Sequence, residues 1–348
     1  MIEIRVSNDK LKEIEKKHWK WFKNNMLKNW IAKMDRDIDD KFLTVFFEDR
    51  ASFESWYDLS GYGSIIKWFQ DQDDSKFNIF KEFIIGDINT LRKIKKRLSA
   101  TDSFAVWATD TKVKNYFEDQ YTDFRSSQDQ WGGAHLINEL DIKVCPYCNR
   151  HFIDTYVLDK GGNIKSNAQL DHFYPKELYP YLALSLYNLI PCCAVCNYGK
   201  LNNNEELIYP YYEGFGESAK FETAFLKGDE EGSYDISFLL GNSDNFKIEL
   251  KPVDSKSDHG KKIQSSTKTF RINDLYKLHN DYVRELIKKA TIYNESRIDE
   301  LYTQYPELFR DREEVLQMIV SNYIDDNDLG KRPLAKLTKD ICEELGLK

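Results

Sequence analysis

Two cysteine pairs of the form C-x-x-C constrain the fold of this chain more than any other feature. The first pair is Cys145 and Cys148, and the second is Cys193 and Cys196. Each pair can present two thiolates to one metal ion, and two pairs complete the tetrahedral sulfur shell that is typical of structural zinc. The sequence therefore predicts a structural Zn²⁺ site. The alternative is a pair of redox-active dithiols, which would accompany a thioredoxin-like βαβ pattern that is not seen here.

The two remaining cysteines are not expected to bind this metal. Cys192 lies beside the second pair, but its spacing to Cys196 does not fit C-x-x-C, and Cys342 is predicted to be a buried residue of a helix. Cysteines clustered in a chain without an apolar leader indicate metal binding in a reducing compartment, so we expect a cytoplasmic protein. No apolar run approaches the roughly 20 residues that a membrane span needs, so no membrane partner is expected.

The pattern of apolar residues predicts a predominantly helical α+β fold with three regions. Residues 1–140 are expected to be helical, because apolar side chains recur at helical spacing from Lys10 to Met34 and from Ile65 to Leu98. Residues 141–205 are expected to form a small core that contains the zinc site. Residues 206–348 are predicted to be irregular to about residue 260 and helical beyond it.

The central region has the order strand, turn, strand, helix. Residues 151–158 have β character, and Asp159–Asn163 gives a hairpin-turn signal. The returning strand is expected over Ile164–Phe173, and Asn188–Asn203 suits a turn that leads into a helix. In the last region, one long helix is expected from about Asn273 to Gln304.

The charge of the chain limits how it can bind nucleic acid. The formal net charge is −8 at pH 7, whereas a protein that coats DNA is usually basic, because neutralising phosphates drives non-specific affinity. Any nucleic-acid surface must therefore be local, and affinity can depend on a partner.

One acid–base pair lies between the two cysteine pairs. Phosphodiester hydrolysis needs a base that deprotonates water, a divalent cation that stabilises the phosphate charge, and a geometry that holds both in line. His172 can be the base, since its ordinary pKa lies near neutrality. Asp171 offers the hard oxygen that Mg²⁺ prefers. Taken alone, the two residues could equally be a surface dipeptide in a turn.

Taken together, these motifs resemble the HNH endonuclease superfamily, which has a ββα-metal fold. The resemblance covers about residues 144–204, and the matching residues are Cys145, Cys148, Asp171, His172, Pro175, Lys176, Asn188, Leu189, Pro191, Cys193, Cys196, Asn197 and Lys200. It implies an α+β chain in which the ββα-metal core and its zinc site are embedded between helical N- and C-terminal regions.

The resemblance also implies the roles of the catalytic residues. His172 would be the general base, and Asp171 would bind a catalytic Mg²⁺ or Mn²⁺ ion. Asn188 would orient the base and brace the loop, and Asn197 would be the second ligand of the catalytic metal. Many members have His at this last position, but the neutral oxygen of Asn also suits a hard cation. The products would carry 5′-phosphate and 3′-hydroxyl ends.

Three basic residues are candidates for binding the nucleic acid. Lys176 and Lys200 flank the predicted site and are expected to contact phosphate. Arg150 follows the first cysteine pair, where a phosphate contact and an ordinary position on a strand surface are both open. DNA is favoured over RNA as the substrate.

Flanking segments are similar to those of HNH nucleases from bacterial anti-phage systems, including Septu and retron-associated nucleases. These segments are Tyr209–Tyr211 and Phe270–Tyr276. The similarity implies a role in defence or restriction and an ATPase or another defence protein as a partner. Two alternatives are a zinc-stabilised nucleic-acid-binding module without catalysis, and a nuclease subunit that is silent until an ATPase assembles with it.

Overall fold

The computed structural model describes residues 1–27, 78–98, 111–127, 130–158, 163–226 and 236–347. Its fold class is α+β, as the sequence predicted, with helices and small two-stranded sheets. None of the described helices has the length and apolar character that a membrane crossing requires. The predicted turn residues 159–162 and much of the predicted helical region, residues 28–77 and 99–110, lie outside the described residues.

The chain forms two compact units, and each is built from segments that are separated in sequence. The cysteine unit contains Met1–Arg5, Ile142–Asp154 and Cys192–Lys348, and the histidine unit contains Val6–Asp141 and Thr155–Pro191. The boundary between them runs inside residues 141–205. All four predicted zinc ligands belong to the cysteine unit, whereas Asp171 and His172 belong to the histidine unit.

The histidine unit has five described helices followed by short strands. Its helices are α1 (Asn8–Trp21), α2 (Asn78–Ile85), α3 (Ile88–Leu98), α4 (Thr111–Ser126) and α5 (Gly133–Leu140). Its strands are β1 (Thr155–Val157), β2 (Ile164–Ser166), β3 (Gln169–His172) and β4 (Leu189–Cys192), the last of which ends on the first residue of the other unit's final segment.

Helix α1 contains a buried histidine, His18. The helix begins where the Ser7 hydroxyl accepts a hydrogen bond from the Lys10 backbone N–H at 3.3 Å. His18 is fully buried; its Nε2 lies 2.8 Å from the Leu184 carbonyl oxygen, and its Nδ1 accepts from the Trp131 indole N–H at 3.2 Å. A carbonyl only accepts, so Nε2 carries the proton. Because burial disfavours the charged ring, the pKa of His18 is lowered to about 4.

The predicted hairpin forms, but its second strand is shorter than expected. Strands β1 and β2 pair antiparallel, from Thr155 opposite Ser166 to Val157 opposite Ile164. The returning strand stops at Ser166, because its hydroxyl accepts from the Ala168 backbone N–H at 3.0 Å and forms a local turn. Strand β3 then starts at Gln169 and pairs with β4 instead.

The cysteine unit contains one helix beside the second cysteine pair, a two-stranded sheet and a set of C-terminal helices. These are α6 (Ala194–Lys200), β5 (Ala219–Phe225), β6 (Phe246–Pro252), α7 (Asp258–Thr269), α8 (Ile272–Tyr276), α9 (Asn280–Ile292), α10 (Glu295–Gln304), α11 (Arg312–Val320) and α12 (Ala335–Glu344).

Two expectations for this region were wrong. Residues 206–260 are not irregular throughout, since β5 and β6 pair over seven residues and bury Phe246, Ile248 and Leu250 at alternate positions. The single helix expected from Asn273 to Gln304 is broken into α8, a 3₁₀ turn, α9 and α10. One reason is Asn294, whose side chain accepts from the Arg297 backbone N–H at 3.0 Å and starts a new helix.

Helix α12 lies in the core of the cysteine unit, and its residues from Ala335 to Cys342 are buried. Cys342 is 1% exposed, which confirms the prediction of a buried helical cysteine. The Lys336 ammonium and the Asp340 carboxylate form a buried ion pair along the helix. Asp340 also accepts from the Phe221 backbone N–H at 2.9 Å, which ties the helix to β5.

His18 should make stability depend on pH in a defined window. Above the ordinary histidine pKa of 6.5, the His18 side chain is neutral in both the folded and the unfolded chain, and its contribution to stability is fully present. As the pH falls towards the folded-state pKa of about 4, the unfolded chain binds a proton that the folded chain does not, and stability is lost. This loss amounts to about 3 kcal/mol.

The measurement is urea unfolding of wild type and His18→Gln across this pH range, because glutamine does not titrate. The variant should lack this part of the pH dependence, although it is less stable at neutral pH. Identical pH dependence in the two proteins would show that His18 is not the titrating group.

Candidate metal centre

Four cysteine thiols form a cluster in the cysteine unit. The Sγ atoms of Cys145, Cys148, Cys193 and Cys196 all lie within 4.8 Å of one another, and all four residues are buried. Cys148 Sγ and Cys193 Sγ are 3.9 Å apart. A tetrahedral zinc ion with Zn–S bonds of about 2.3 Å separates its sulfurs by about 3.8 Å. The donor set and its spacing therefore fit the zinc site that the sequence predicted.

The burial of this cluster explains why it suits a cation. Burial raises the pKa of the Cys145 thiol well above its ordinary range, because a lone thiolate is poorly solvated there. A divalent ion reverses this preference, since it takes thiolates as ligands and releases their protons. Among the described residues, no other set of three or more His, Cys, Asp or Glu side chains gathers its ligand atoms in this way.

The first cysteine pair sits in a tight backbone turn. The Asn149 N–H donates to the Cys145 carbonyl at 2.8 Å, and the Cys145 N–H donates to the His151 carbonyl at 3.0 Å. Asn149 closes the turn in the left-handed region, with φ +52°, which Asn tolerates better than most residues. The second pair begins α6, where the Asn197 N–H donates to the Cys193 carbonyl at 3.1 Å.

Distant segments hold this turn in place. The Asn149 side chain donates to the Leu329 carbonyl at 2.9 Å and accepts from the Lys336 N–H at 3.0 Å. The Tyr276 hydroxyl donates to the Cys148 carbonyl at 2.6 Å, and the Ile2 N–H donates to the Pro146 carbonyl at 2.9 Å. Sequence reasoning did not single out these supporting residues, because no spacing rule links Asn149 with residues far along the chain.

His151 lies beside one of the four candidate zinc ligands. Its Nδ1 lies 3.7 Å from Cys148 Sγ, and this hydrogen bond is the main reason that the pKa of His151 is raised. An N–H donor beside a thiolate stabilises the thiolate's charge and fixes its orientation. Arg150 points elsewhere, because its Nε donates to His279 Nε2 at 2.9 Å and its guanidinium lies 5.9 Å from the Tyr276 ring centroid.

The predicted base lies on β3 in the histidine unit. Asp171 and His172 are 4% and 8% exposed. His172 Nε2 is 3.0 Å from the Ala183 carbonyl oxygen, and the Tyr121 ring packs against the imidazole with a centroid distance of 4.4 Å. Because the carbonyl only accepts, Nε2 carries a proton, and in the neutral form of the ring the lone pair is on Nδ1.

Asn188 braces the loop that supplies this carbonyl. It is fully buried; its Oδ1 accepts from the Tyr174 N–H at 2.7 Å, and its Nδ2 donates to the carbonyls of Tyr174 and Leu182 at 3.1 and 3.0 Å. Leu182 immediately precedes Ala183. Asn188 thus bears on the orientation of His172 through the backbone.

The structure does not bring all the predicted site residues into one unit. Asp171, His172 and Asn188 belong to the histidine unit, whereas Asn197 lies on α6 in the cysteine unit. The Lys176 ammonium is paired with Glu118 at 3.1 Å and with Glu177 at 3.4 Å, and Lys200 is 1% exposed. The binding of one catalytic cation by Asp171 and Asn197 therefore stays a prediction, as do phosphate contacts by Lys176, Lys200 and Arg150.

No protein-family model matches this sequence, and no curated protein or solved structure is significantly similar to it. The resemblance to HNH nucleases therefore rests on the motif residues themselves.

Removing one thiol should release the zinc. We expect Cys193→Ala to lose the bound ion, and to unfold the cysteine unit at a lower temperature, because three sulfurs and a cavity replace a closed shell. The matched control is Cys192→Ala, which removes a buried cysteine one residue away and outside the cluster. Zinc content by atomic absorption should fall only in the first variant; equal zinc in both would rule out the four-cysteine site.

Loss of the outer hydrogen bond should weaken zinc binding without abolishing it. We expect His151→Ala to bind zinc with an affinity about tenfold lower than that of wild type, as is typical when a residue that supports a metal ligand is removed. Competition with a chelator measures this affinity. The control is His259→Ala, because this histidine is paired with Glu213 and does not belong to the thiol cluster. An unchanged affinity in His151→Ala would show that the contact with Cys148 does not stabilise the thiolate.

Proposed function

We propose that this chain is a metal-dependent endonuclease of the HNH type that hydrolyses phosphodiester bonds, with DNA as the favoured substrate. The setting implied by the resemblance is bacterial anti-phage defence or restriction. One feature supports the proposal: the cysteine pairs and the Asp171–His172 motif interleave in the family's order.

The observation that carries the proposal is the hydrogen bond from His172 Nε2 to the Ala183 carbonyl at 3.0 Å. A general base needs one nitrogen whose lone pair is directed by a fixed ring orientation. The bond to Ala183 keeps the proton on Nε2, and the Asn188 hydrogen bonds to Tyr174 and Leu182 keep the loop in place. This arrangement suits Nδ1 as the atom that accepts a proton.

In the proposed reaction, His172 Nδ1 removes a proton from a water molecule whose oxygen attacks phosphorus. The bond from phosphorus to the 3′ oxygen breaks, and that oxygen leaves and takes up a proton. Products therefore carry a 5′-phosphate and a 3′-hydroxyl group. The proton held by the imidazole returns to solvent, so the base is regenerated.

The catalytic cation is assigned by the resemblance alone. A carboxylate oxygen of Asp171 and the amide oxygen of Asn197 are donors of the type that Mg²⁺ or Mn²⁺ prefers, and such an ion would stabilise negative charge on the phosphate. Among the described residues, Asp171 does not belong to any group of three or more His, Cys, Asp or Glu side chains that could hold a metal ion. We therefore derive no step of the reaction from the ion.

The burial of Asp171 and His172 favours a second candidate function. Residues that are 4% and 8% exposed also suit a structural pair in a zinc-stabilised module that binds nucleic acid without cutting it. A nuclease subunit that becomes active only when a partner ATPase assembles with it would combine both properties. The three readings differ in what His172 contributes to cleavage.

The test is nicking of supercoiled plasmid DNA with Mg²⁺ or Mn²⁺ by wild type and His172→Gln. The glutamine amide can still donate to the Ala183 carbonyl but cannot act as a base. We expect the cleavage rate to fall about 10²- to 10⁴-fold, while the melting temperature shows that the variant is folded. His259→Gln removes a half-buried histidine that has no role in the proposed reaction, and this variant should cleave as wild type does. Equal cleavage by wild type and His172→Gln would refute the assignment of the base.

Adding a candidate partner distinguishes a nuclease that is inactive on its own from a module that has no catalytic activity. If wild type binds DNA without cutting it, the assay is repeated with proteins encoded next to its gene. Cleavage that needs both the partner and His172 supports the partner-dependent nuclease. DNA binding without cleavage under both conditions supports the non-catalytic module.

A further inference from the structure

A pocket of about 420 Å³ lies within the histidine unit, formed by residues of that unit alone. Its walls come from the C-terminal half of α1, the turn that follows it, and residues 130–139, together with Ile164. This volume lies in the range of small-molecule sites, which is about 300–1,000 Å³. None of the residues proposed for zinc binding or catalysis lines it.

Two indole rings in this pocket are fixed by one buried side chain. His18 accepts from the Trp131 indole N–H at 3.2 Å, and its ring stacks on Trp21 with a centroid distance of 5.8 Å and an interplanar angle of 27°. His18 is itself anchored on the Leu184 carbonyl at 2.8 Å. The aromatic walls are therefore set in place before any ligand arrives, which lowers the entropy cost of binding a flat ring.

The charged lining of the pocket is cationic. Its one carboxylate, Glu139, is paired with Lys10 and with Lys17, and these hydrogen bonds, first that from Lys10, lower the pKa of Glu139. Lys17 also lies 5.9 Å from the Trp131 ring centroid, so a cation borders the aromatic wall. Lys20 is exposed, and the described part of the chain provides no ion-pair partner for it. An incoming anion would therefore meet an ammonium that none of the described carboxylates neutralises.

Amide side chains and the His135 imidazole complete the lining. Asn24 and Gln130 offer both donors and acceptors to the edge of a ring. The Asn25 amide already donates to the Trp21 carbonyl at 3.1 Å, and Asn138 Oδ1 accepts from the Thr155 hydroxyl at 2.9 Å. Flat aromatic walls, amides and a lysine together match a ligand with three parts: a planar ring, polar atoms on its edge, and an attached anionic group. Nucleotides have this chemistry.

We propose that this pocket binds a nucleotide, with its base against Trp131 and Trp21 and its phosphate at Lys20. The same chemistry is present in a free mononucleotide and in the 5′-terminal nucleotide of a strand. The inference goes beyond the proposed nuclease function and does not depend on it, since the pocket uses none of the residues assigned to cleavage.

The experiment is isothermal titration of the full chain with adenosine 5′-monophosphate, adenosine and inorganic phosphate. We expect the monophosphate to bind with a Kd below about 1 mM, and adenosine and phosphate each to bind at least about tenfold more weakly. Titration with a 5′-phosphorylated dinucleotide distinguishes the two sources, because a terminal-nucleotide site binds it at least as tightly as the free monophosphate. Either outcome of that comparison supports a nucleotide site.

Matched lysine variants locate the binding site. Lys20→Glu should weaken binding of the monophosphate by at least about tenfold, because a charge-assisted contact becomes repulsive. Lys12→Glu makes the same charge change at an exposed position of α1 outside the pocket, and should alter Kd by less than about twofold. Both side chains are exposed, so both variants should fold.

Several results would overturn the proposal. These are no binding of the monophosphate by the folded chain, equal affinity for the monophosphate and for phosphate or adenosine, and equal effects of Lys20→Glu and Lys12→Glu. The plasmid assay bears only on the nuclease, so a failure of cleavage leaves this titration as an independent result.

Discussion

The convergence of four thiols is the interaction on which the cysteine unit depends. Cys145 and Cys148 lie in a short segment, residues 142–154, that is separated from Cys193 and Cys196 by chain belonging to the other unit. Such a segment is too short to bury a core of its own. A metal ion bound by both cysteine pairs would connect it to the helices beyond residue 192 and offset the entropy lost when distant parts of the chain are brought together.

In each unit, a buried asparagine positions the backbone beside the candidate site. Asn149 binds the backbone at Leu329 and Lys336 beside the thiol cluster, and Asn188 binds the backbone at Tyr174 and Leu182 beside His172. A buried amide with every polar atom satisfied favours a single backbone path, because any other path leaves polar groups without partners. Each functional region is thus held by a residue that carries no charge.

The four-thiol cluster that could hold zinc and the α+β class could both be predicted from sequence, because both depend on local patterns. Ligand spacing defines the thiol cluster, and helical periodicity defines most helices. Strand β6 was missed although Phe246, Ile248 and Leu250 alternate with the charged residues Lys247, Glu249 and Lys251. The roles of Asn149 and His18 could not have been predicted, because their partners at Leu329 and Leu184 are brought close only by the complete fold.

The long separation between Asn149 and its partners has a consequence for how the protein is made. Asn149 emerges from the ribosome 180 residues before Leu329 and 187 before Lys336. Contacts so far apart in sequence form late, and domains that depend on them fold slowly. The turn that carries the first cysteine pair therefore lacks these two hydrogen bonds until Leu329 and Lys336 have been synthesised, so the surroundings of the thiol cluster are completed only when nearly the whole chain is available.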